Sequence, residues 1–242
     1  NFKTFTAVFP GFEKDESLFA KEVSDSLAFQ NLQVSPRADE LASDLKKIFY
    51  FQEEPFPSSS IFAQYKVYEL ARQHGVKVLL DGQGADEILA GYNRYLHWYI
   101  QELLGNYKFR IALEKREYNK IVSNHDIATE FMKCIKGREW DGIHKPIITK
   151  LNDILYFSTM QMGLEELLRY ADRNSMAHGV EVRLPFLNAE MVQFIFSISS
   201  SQKIKEGFTK WPLRKLMNNR LPHSIVWRKE KIGFEPPQKQ WM

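Results

Sequence analysis

One cysteine, Cys134, is all that 242 residues contain, so no intrachain disulfide can form, and no cysteine or histidine spacing matches a zinc site. Cys134 therefore reads as a small apolar filler in a protein of a reducing, cytoplasmic setting. No run of about 18 apolar residues occurs, which argues against a membrane-spanning helix. Residues 1–12 carry neither the basic segment nor the cleavage site of a signal peptide. Excess charge is lacking too: 33 Lys and Arg against 30 Asp and Glu leave a net +3, well dispersed, without the basic footprint that nucleic acid needs. Neither a membrane nor nucleic acid is expected as a partner. Apart from alternating strands and helices there is no internal repeat.

What is present is the composition of a folded protein: 44% hydrophobic, 14% aromatic and 26% charged. The chain opens without Met and almost directly into the apolar stretch 5–9, so it reads as a cut through a larger protein. That stretch, stopped by Pro10 and Gly11, predicts a buried strand. Asp15 could cap a helix over 16–29, followed by a short strand at 32–34. Helical spacing continues over 38–50 and 61–73, separated by a Pro- and Ser-rich loop at 54–60. The compact run 76–80 predicts a fully buried parallel strand. Beyond residue 87 the pattern predicts long helices over 88–104 and 154–171, an exposed helical insertion over 105–150, and no further strand. Parallel pairing follows from the strand and helix alternation.

Chemistry concentrates at residues 79–87, LLDGQGADE, where a strand runs into a glycine-rich turn bearing Asp81, Asp86 and Glu87. In open parallel sheets ligands bind beyond the carboxyl ends of the strands, and glycines let backbone N–H groups approach phosphate. Carboxylates beside a phosphate need an intervening cation, so the three acids suggest Mg2+ with ATP or pyrophosphate. A plain tight turn ahead of a capped helix is the competing explanation.

Residues 81–92, DGQGADEILAGY, resemble the second signature of the asparagine synthetase family of PP-loop ATP pyrophosphatases. Residues 170–187, YADRNSMAHGVEVRLPFL, resemble the family's ADRxSMAxxxExRxPFLD block, and residues 228–234, RKEKIGF, its RxxKxGF motif. The resemblance implies a Rossmann-like, doubly wound parallel α/β sheet followed by a mainly helical second half. The division would be a partial nucleotide-binding region over 1–92 and a helical region over 93–242 completing the synthetase site. It makes Asp86 a Mg2+ and pyrophosphate ligand and a catalytic residue, and places Asp81, Gly82, Gln83 and Gly84 around the nucleotide. Lys231 becomes the cation that stabilises charge on the phosphates and the adenylated carboxylate; a solvated lysine in a basic run is the plainer alternative. The backbone at Ala7 would contact adenine.

Glu87, Asp172, Arg173, Ser175, Glu181 and Arg183 would support the substrate pocket. Glu181 and Arg183, two apart, could pair with each other or face the pocket. Asp172, Arg173 and Ser175 end a long apolar helix, where burial of charge would demand a polar network. His178 stands alone without ligand spacing and reads as packing or surface.

Four departures matter. The family's PP-loop, SGGxDS, is absent, as is the N-terminal glutaminase domain that releases ammonia from glutamine. Gln83 stands where Glu is usual, and Asn188 where Asp is usual, the latter keeping its ability to cap a helix. The leading expectation is ATP-dependent amidation of aspartate to asparagine through an adenylate, with loss of AMP and pyrophosphate. Amidation of another carboxylate, or a non-catalytic nucleotide-binding module, are the alternatives, and a homodimer is compatible with either.

Overall fold

The structure, a computed structural model, describes residues 2–105 and 148–241. Cys134 and nearly all of the insertion expected over 105–150 lie outside them. The order is β1 (Lys3–Ala7), α1 (Ser17–Ser26), β2 (Gln30–Val34), α2 (Ala38–Gln52), α3 (Ser60–Gln73), β3 (Val78–Leu80), α4 (Ala85–Ile88) and α5 (Leu96–Gly105). After the undescribed segment come α6 (Leu151–Met160), α7 (Leu164–Met176), β4 (Glu181–Arg183), α8 (Ala189–Ser197), α9 (Ser200–Lys203), α10 (Trp211–Met217), α11 (His223–Val226) and α12 (Gln238–Trp241).

The strands form two parallel pairs, β1 with β2 and β3 with β4. Alternation along β1 sends Thr4 toward Ser24 of α1 and Ala7 toward Ala63 of α3, so helices cover both faces of the first pair. Among the described residues these are two small sheets rather than one. Consequently β3 is not the fully buried strand its composition suggests: Val78 is 42% and Leu80 72% exposed, because one edge of the pair has no neighbour.

β4 was not anticipated. Three residues with a single apolar side chain between Glu181 and Arg183 are too short for an alternation to be read, yet their backbone pairs with β3 residue for residue. The two long helices of the expectation are each interrupted. Ala90 adopts φ +58 between α4 and a 3-10 turn at Asn93–Tyr95, and Gly163 at φ +113 separates α6 from α7. At α1 the cap residue is Glu16, while Asp15 accepts hydrogen bonds from the Ser17 amide and hydroxyl at 3.2 and 2.7 Å. Asn188 does cap α8, its Oδ1 accepting from the Glu190 and Met191 amides at 3.0 and 3.2 Å.

Two clusters organise the interior. Ile48, Ile61, Phe62, Tyr65 and Tyr170 join α2, α3 and α7, while Tyr95, Leu96, Leu151, Leu155 and Ile204 join the helical second half. Polar residues sit inside both. In the first, fully buried Asn174 accepts from Gln52 at 2.8 Å and donates to the Ile61 carbonyl at 2.9 Å and to Gln64 at 3.0 Å.

In the second, Lys203 is fully buried. Its ammonium donates to Asn152 Oδ1 and lies 5.2 Å from the centre of the Phe196 ring. Burial pushes its pKa down from 10.5 to about 8, partly offset by Glu102. Below pH 8 both states are protonated and the burial cost is complete. Between pH 8 and 10.5 the unfolded chain keeps a proton that the folded protein has lost, so stability rises with pH. Over that range wild type should gain roughly 2–3 kcal/mol relative to Lys203→Met, measured by urea unfolding; parallel pH dependences would show that the lysine is not buried with its charge.

Candidate active site

At the carboxyl end of β3 the chain turns through residues 81–84, and Asp81 extends the pairing by donating its amide to the Arg183 carbonyl at 3.0 Å. Gly84 then adopts φ +86 against Leu187, where an added Cβ would lie 2.3 Å from Leu187 Cδ2. No other residue fits there, which fixes how the turn enters α4. The turn places the three acids of the motif in three different environments.

Asp81 accepts from the Tyr68 hydroxyl and from the Gln83 amide, both at 3.3 Å. Burial and the Asp81 charge raise the Tyr68 pKa, so its hydroxyl stays a donor. Glu87, 3% exposed, accepts from Tyr92 at 2.7 Å. Burial and the Glu87 charge likewise raise the Tyr92 pKa, and Arg94 lies 4.8 Å from the Tyr92 ring centre.

Asp86 stands between two lysines. Lys210 Nζ is 2.7 Å from its Oδ1 and Lys231 Nζ is 3.4 Å from its Oδ2. Two cations about one carboxylate leave a local charge of +1, so the cluster attracts an anion, although an isolated aspartate would repel one. Lys210 was not anticipated. It lies in a separate segment at the start of α10, in the left-handed region at φ +52, with its amide bonded to the Leu89 carbonyl at 3.2 Å. Nothing in its local pattern distinguishes it from a surface lysine.

The expectation that Asp81, Asp86 and Glu87 together surround Mg2+ is not met: among the described residues no group of three or more His, Cys, Asp or Glu could hold a metal ion. Asp86 alone fits. Its Oδ1 is buried against Lys210 and its Oδ2 faces Lys231, so both oxygens already meet a cation of the protein. The carboxylate lines the cavity beside the turn, and one carboxylate is what Mg2+ needs from a protein when phosphate and water supply the other ligands.

A cavity of about 1160 Å³ brings together Ala7 from β1, residues 81–84, Asp86, Glu87 and Lys231. The unpaired edges of β1 and β3 both line it. The other expected residues stand elsewhere. Asp172 and Arg173 are exposed, with Arg173 paired to Glu53 at 2.7 Å, so the helix end buries no charge there; Asn174 and Ser175 are the buried residues. The Ser175 hydroxyl donates to the Asp172 carbonyl at 3.0 Å. Arg183 donates to Glu181 at 2.7 Å along β4, which decides the open choice in favour of mutual pairing. His178 packs on Tyr65 with ring centres 4.2 Å apart.

Parallel strands with an acid and lysine cluster at their carboxyl ends, beside a cavity, define the class as an α/β protein with its candidate site where open parallel sheets carry ligands. The particular family follows from comparison: residues 1–242 match the asparagine synthase family model, and the chain belongs to that family. It is 26% identical to asparagine synthetase [glutamine-hydrolyzing] 1 of Bacillus subtilis, with 99% of this chain and 43% of the relative covered. The asparagine synthetase of Gallus gallus is 23% identical, covering 96% of this chain and 34% of the relative. Amidase chry2 of Gibberella zeae is 20% identical, covering 99% and 44%. The chain spans less than half the length of these relatives. Among the described residues no helix is long and apolar enough to cross a membrane.

Gly91 sits against the cluster. A Cβ there would lie 1.8 Å from Asp86 Oδ1 and 2.3 Å from Lys210 Cε. Gly91→Ala should therefore break the Asp86–Lys210 pair and cost about 1–3 kcal/mol, seen as a lower urea midpoint and a separated pair in a crystal structure; an intact pair would mean the pocket yields elsewhere.

Proposed function

We propose that this chain is the synthetase part of an ATP-dependent amidating ligase, with Asp86, Lys210 and Lys231 binding the phosphates that leave. The observation that carries the reading is the Asp86 carboxylate, held between two lysines where it and Lys231 line the cavity. In the reaction proposed, a carboxylate oxygen of aspartate attacks the α-phosphorus of ATP and the bond to the β-phosphate oxygen breaks, releasing pyrophosphate. Ammonia nitrogen then attacks the acyl carbon, loses a proton, and displaces AMP to give asparagine. Lys231 and Lys210 neutralise charge building on the departing phosphates, in a partly buried site where such charges act strongly. Asp86 is the residue that would hold Mg2+, which when bound would help neutralise charge on the departing phosphates. Ala7, Gly82, Gln83 and Gly84 would surround the nucleotide, and Glu87 with Tyr92 would form one wall.

Two further parts belong to this proposal. A strand ending in a phosphate-binding loop would fill the cleft between β1 and β3, completing a doubly wound sheet; the exposed Val78 and Leu80 beside that cleft support it. A glutaminase domain elsewhere in the whole protein would supply ammonia from glutamine. The residues over 1–92 would bind nucleotide and those over 93–242 complete the site, with β4 and the two lysines crossing that division.

A second reading changes the acceptor to another carboxylate. Gln83 favours it: its amide donates to Asp81 at 3.3 Å, where a glutamate would oppose a second negative charge, so the turn is built without an acid at that position. One similar protein bears the name of an amidase.

The test is formation of AMP and pyrophosphate by the full-length protein from MgATP, aspartate and ammonia. AMP, pyrophosphate and asparagine in equal amounts are expected, with Asp86→Ala and Lys231→Ala each lowering turnover at least about 100-fold. Turnover that requires another carboxylate would select the second reading, and a protein that neither binds nor cleaves MgATP would exclude both.

A further inference from the structure

Lys210 and Lys231 come from segments with no continuous secondary structure between them, yet both must stop within reach of one carboxylate. A single side chain spans the two segments. Arg214, on α10, donates from Nε to the Thr209 carbonyl at 2.7 Å and from Nη1 to the Val226 and Arg228 carbonyls, the latter at 2.9 Å. Thr209 immediately precedes Lys210, and Arg228 lies three residues before Lys231. We infer that Arg214 is a positioning residue that sets both lysines of the Asp86 cluster at once, by fixing the backbone that leads into each.

The geometry suits arginine alone. Its planar fork presents donors in fixed directions, and here they close on three carbonyls of two segments; a lysine ammonium could reach one or two of them but could not hold the fork's angles. The guanidinium lies 5.3 Å from the Phe208 ring centre, and its Nε and Nη1 donate to backbone carbonyls. Burial and the nearby Arg228 charge disfavour the charged form. A partly buried guanidinium held by neutral carbonyls is costly, which suits a residue kept for geometry. Lys210 shows why such a brace is needed: its left-handed backbone is unfavourable for a side chain larger than glycine and must be held by its surroundings. The Leu89 carbonyl holds it from one side, and Arg214, through Thr209, from the other. Trp211 and Trp227, with rings 5.5 Å apart, close the same junction.

The inference rests on the proposed phosphate-binding role of the cluster, and the experiment separates the two. Magnesium pyrophosphate binding to the full-length protein is measured by titration calorimetry for wild type, Arg214→Lys, Arg214→Met, Lys231→Ala and the combination of Arg214→Lys with Lys231→Ala. Both arginine variants should weaken binding by about 10- to 100-fold, as loss of a residue that orients a ligating group does. The combined variant should fall at least about threefold short of the product of the single losses, because the arginine acts partly through Lys231. Reversible unfolding would also raise the apparent dissociation constant, by the inverse of the folded fraction, so affinities are compared at a temperature where urea unfolding shows every variant fully folded. If Arg214→Met does not fold, Arg214→Lys carries the test. Unchanged affinity, or strictly multiplicative losses, overturns the positioning role while leaving the cluster's role intact; a wild-type protein that binds no magnesium pyrophosphate overturns both.

Discussion

A carboxylate held between two ammonium groups depends on the whole of the surrounding fold, because each of its three members is delivered by a different segment. Asp86 stands on α4 directly after the turn from β3, Lys210 caps α10, and Lys231 lies in the extended stretch before α12. Holding three like-minded segments against one another requires that the turn be fixed by Gly84 against Leu187, that Gly91 leave room, and that Lys210 accept a left-handed backbone. Each of these is a local cost of order 1 kcal/mol. An ion pair at about 3 Å in a partly buried setting has a gross attraction of roughly 5 kcal/mol, much of it offset by desolvation. The arrangement therefore does little for stability and a good deal for anion binding: the lysines outnumber the acid, and their charge is left for a ligand.

The hydrogen-bond partners of the neighbouring acids sharpen that division. Asp81 and Glu87 each have a tyrosine hydroxyl kept protonated by burial, so each carboxylate meets a neutral donor. Asp86 has no such donor and stands instead between Lys210 and Lys231. Three carboxylates within seven residues thus meet two tyrosine hydroxyls and one pair of lysines, differences that sequence spacing alone could not have shown. Composition said only that acids beside glycines need a cation; the structure shows which acid is met by cations of the protein's own.

Much of the site's framework was legible all the same. The glycine-rich turn, the parallel strand before it and the segment bearing Lys231 were all visible as patterns, because each is local: a strand of β-branched and leucine residues, glycines at a turn, a basic motif near the end of the chain. What escaped was non-local. β4 has one apolar residue and exists because β3 offers an edge. The breaks at Ala90 and Gly163 interrupt sequences whose apolar spacing is helical on both sides. Lys210 became a member of the cluster through the packing of α10 against the Leu89 loop, which no window of sequence contains. Expected burial failed for Val78, Leu80, Asp172 and Arg173 for a shared reason: apolar or charged composition was read as a core position, while these side chains border a cleft or the surface.

That cleft gives the exposed residues their meaning. An edge strand with large apolar side chains is a hazard that folded proteins normally cover, and here two such edges face the same space, with the phosphate-seeking lysine cluster at one end of it. Two unrelated edges left open would be two separate liabilities. Two edges lining one cavity leave room that one strand could fill, and on the function proposed above such a strand would carry its terminal loop toward Asp86. The exposed Leu80 and the lysine-held Asp86 would then serve one segment, apolar along the sheet edges and polar at their ends.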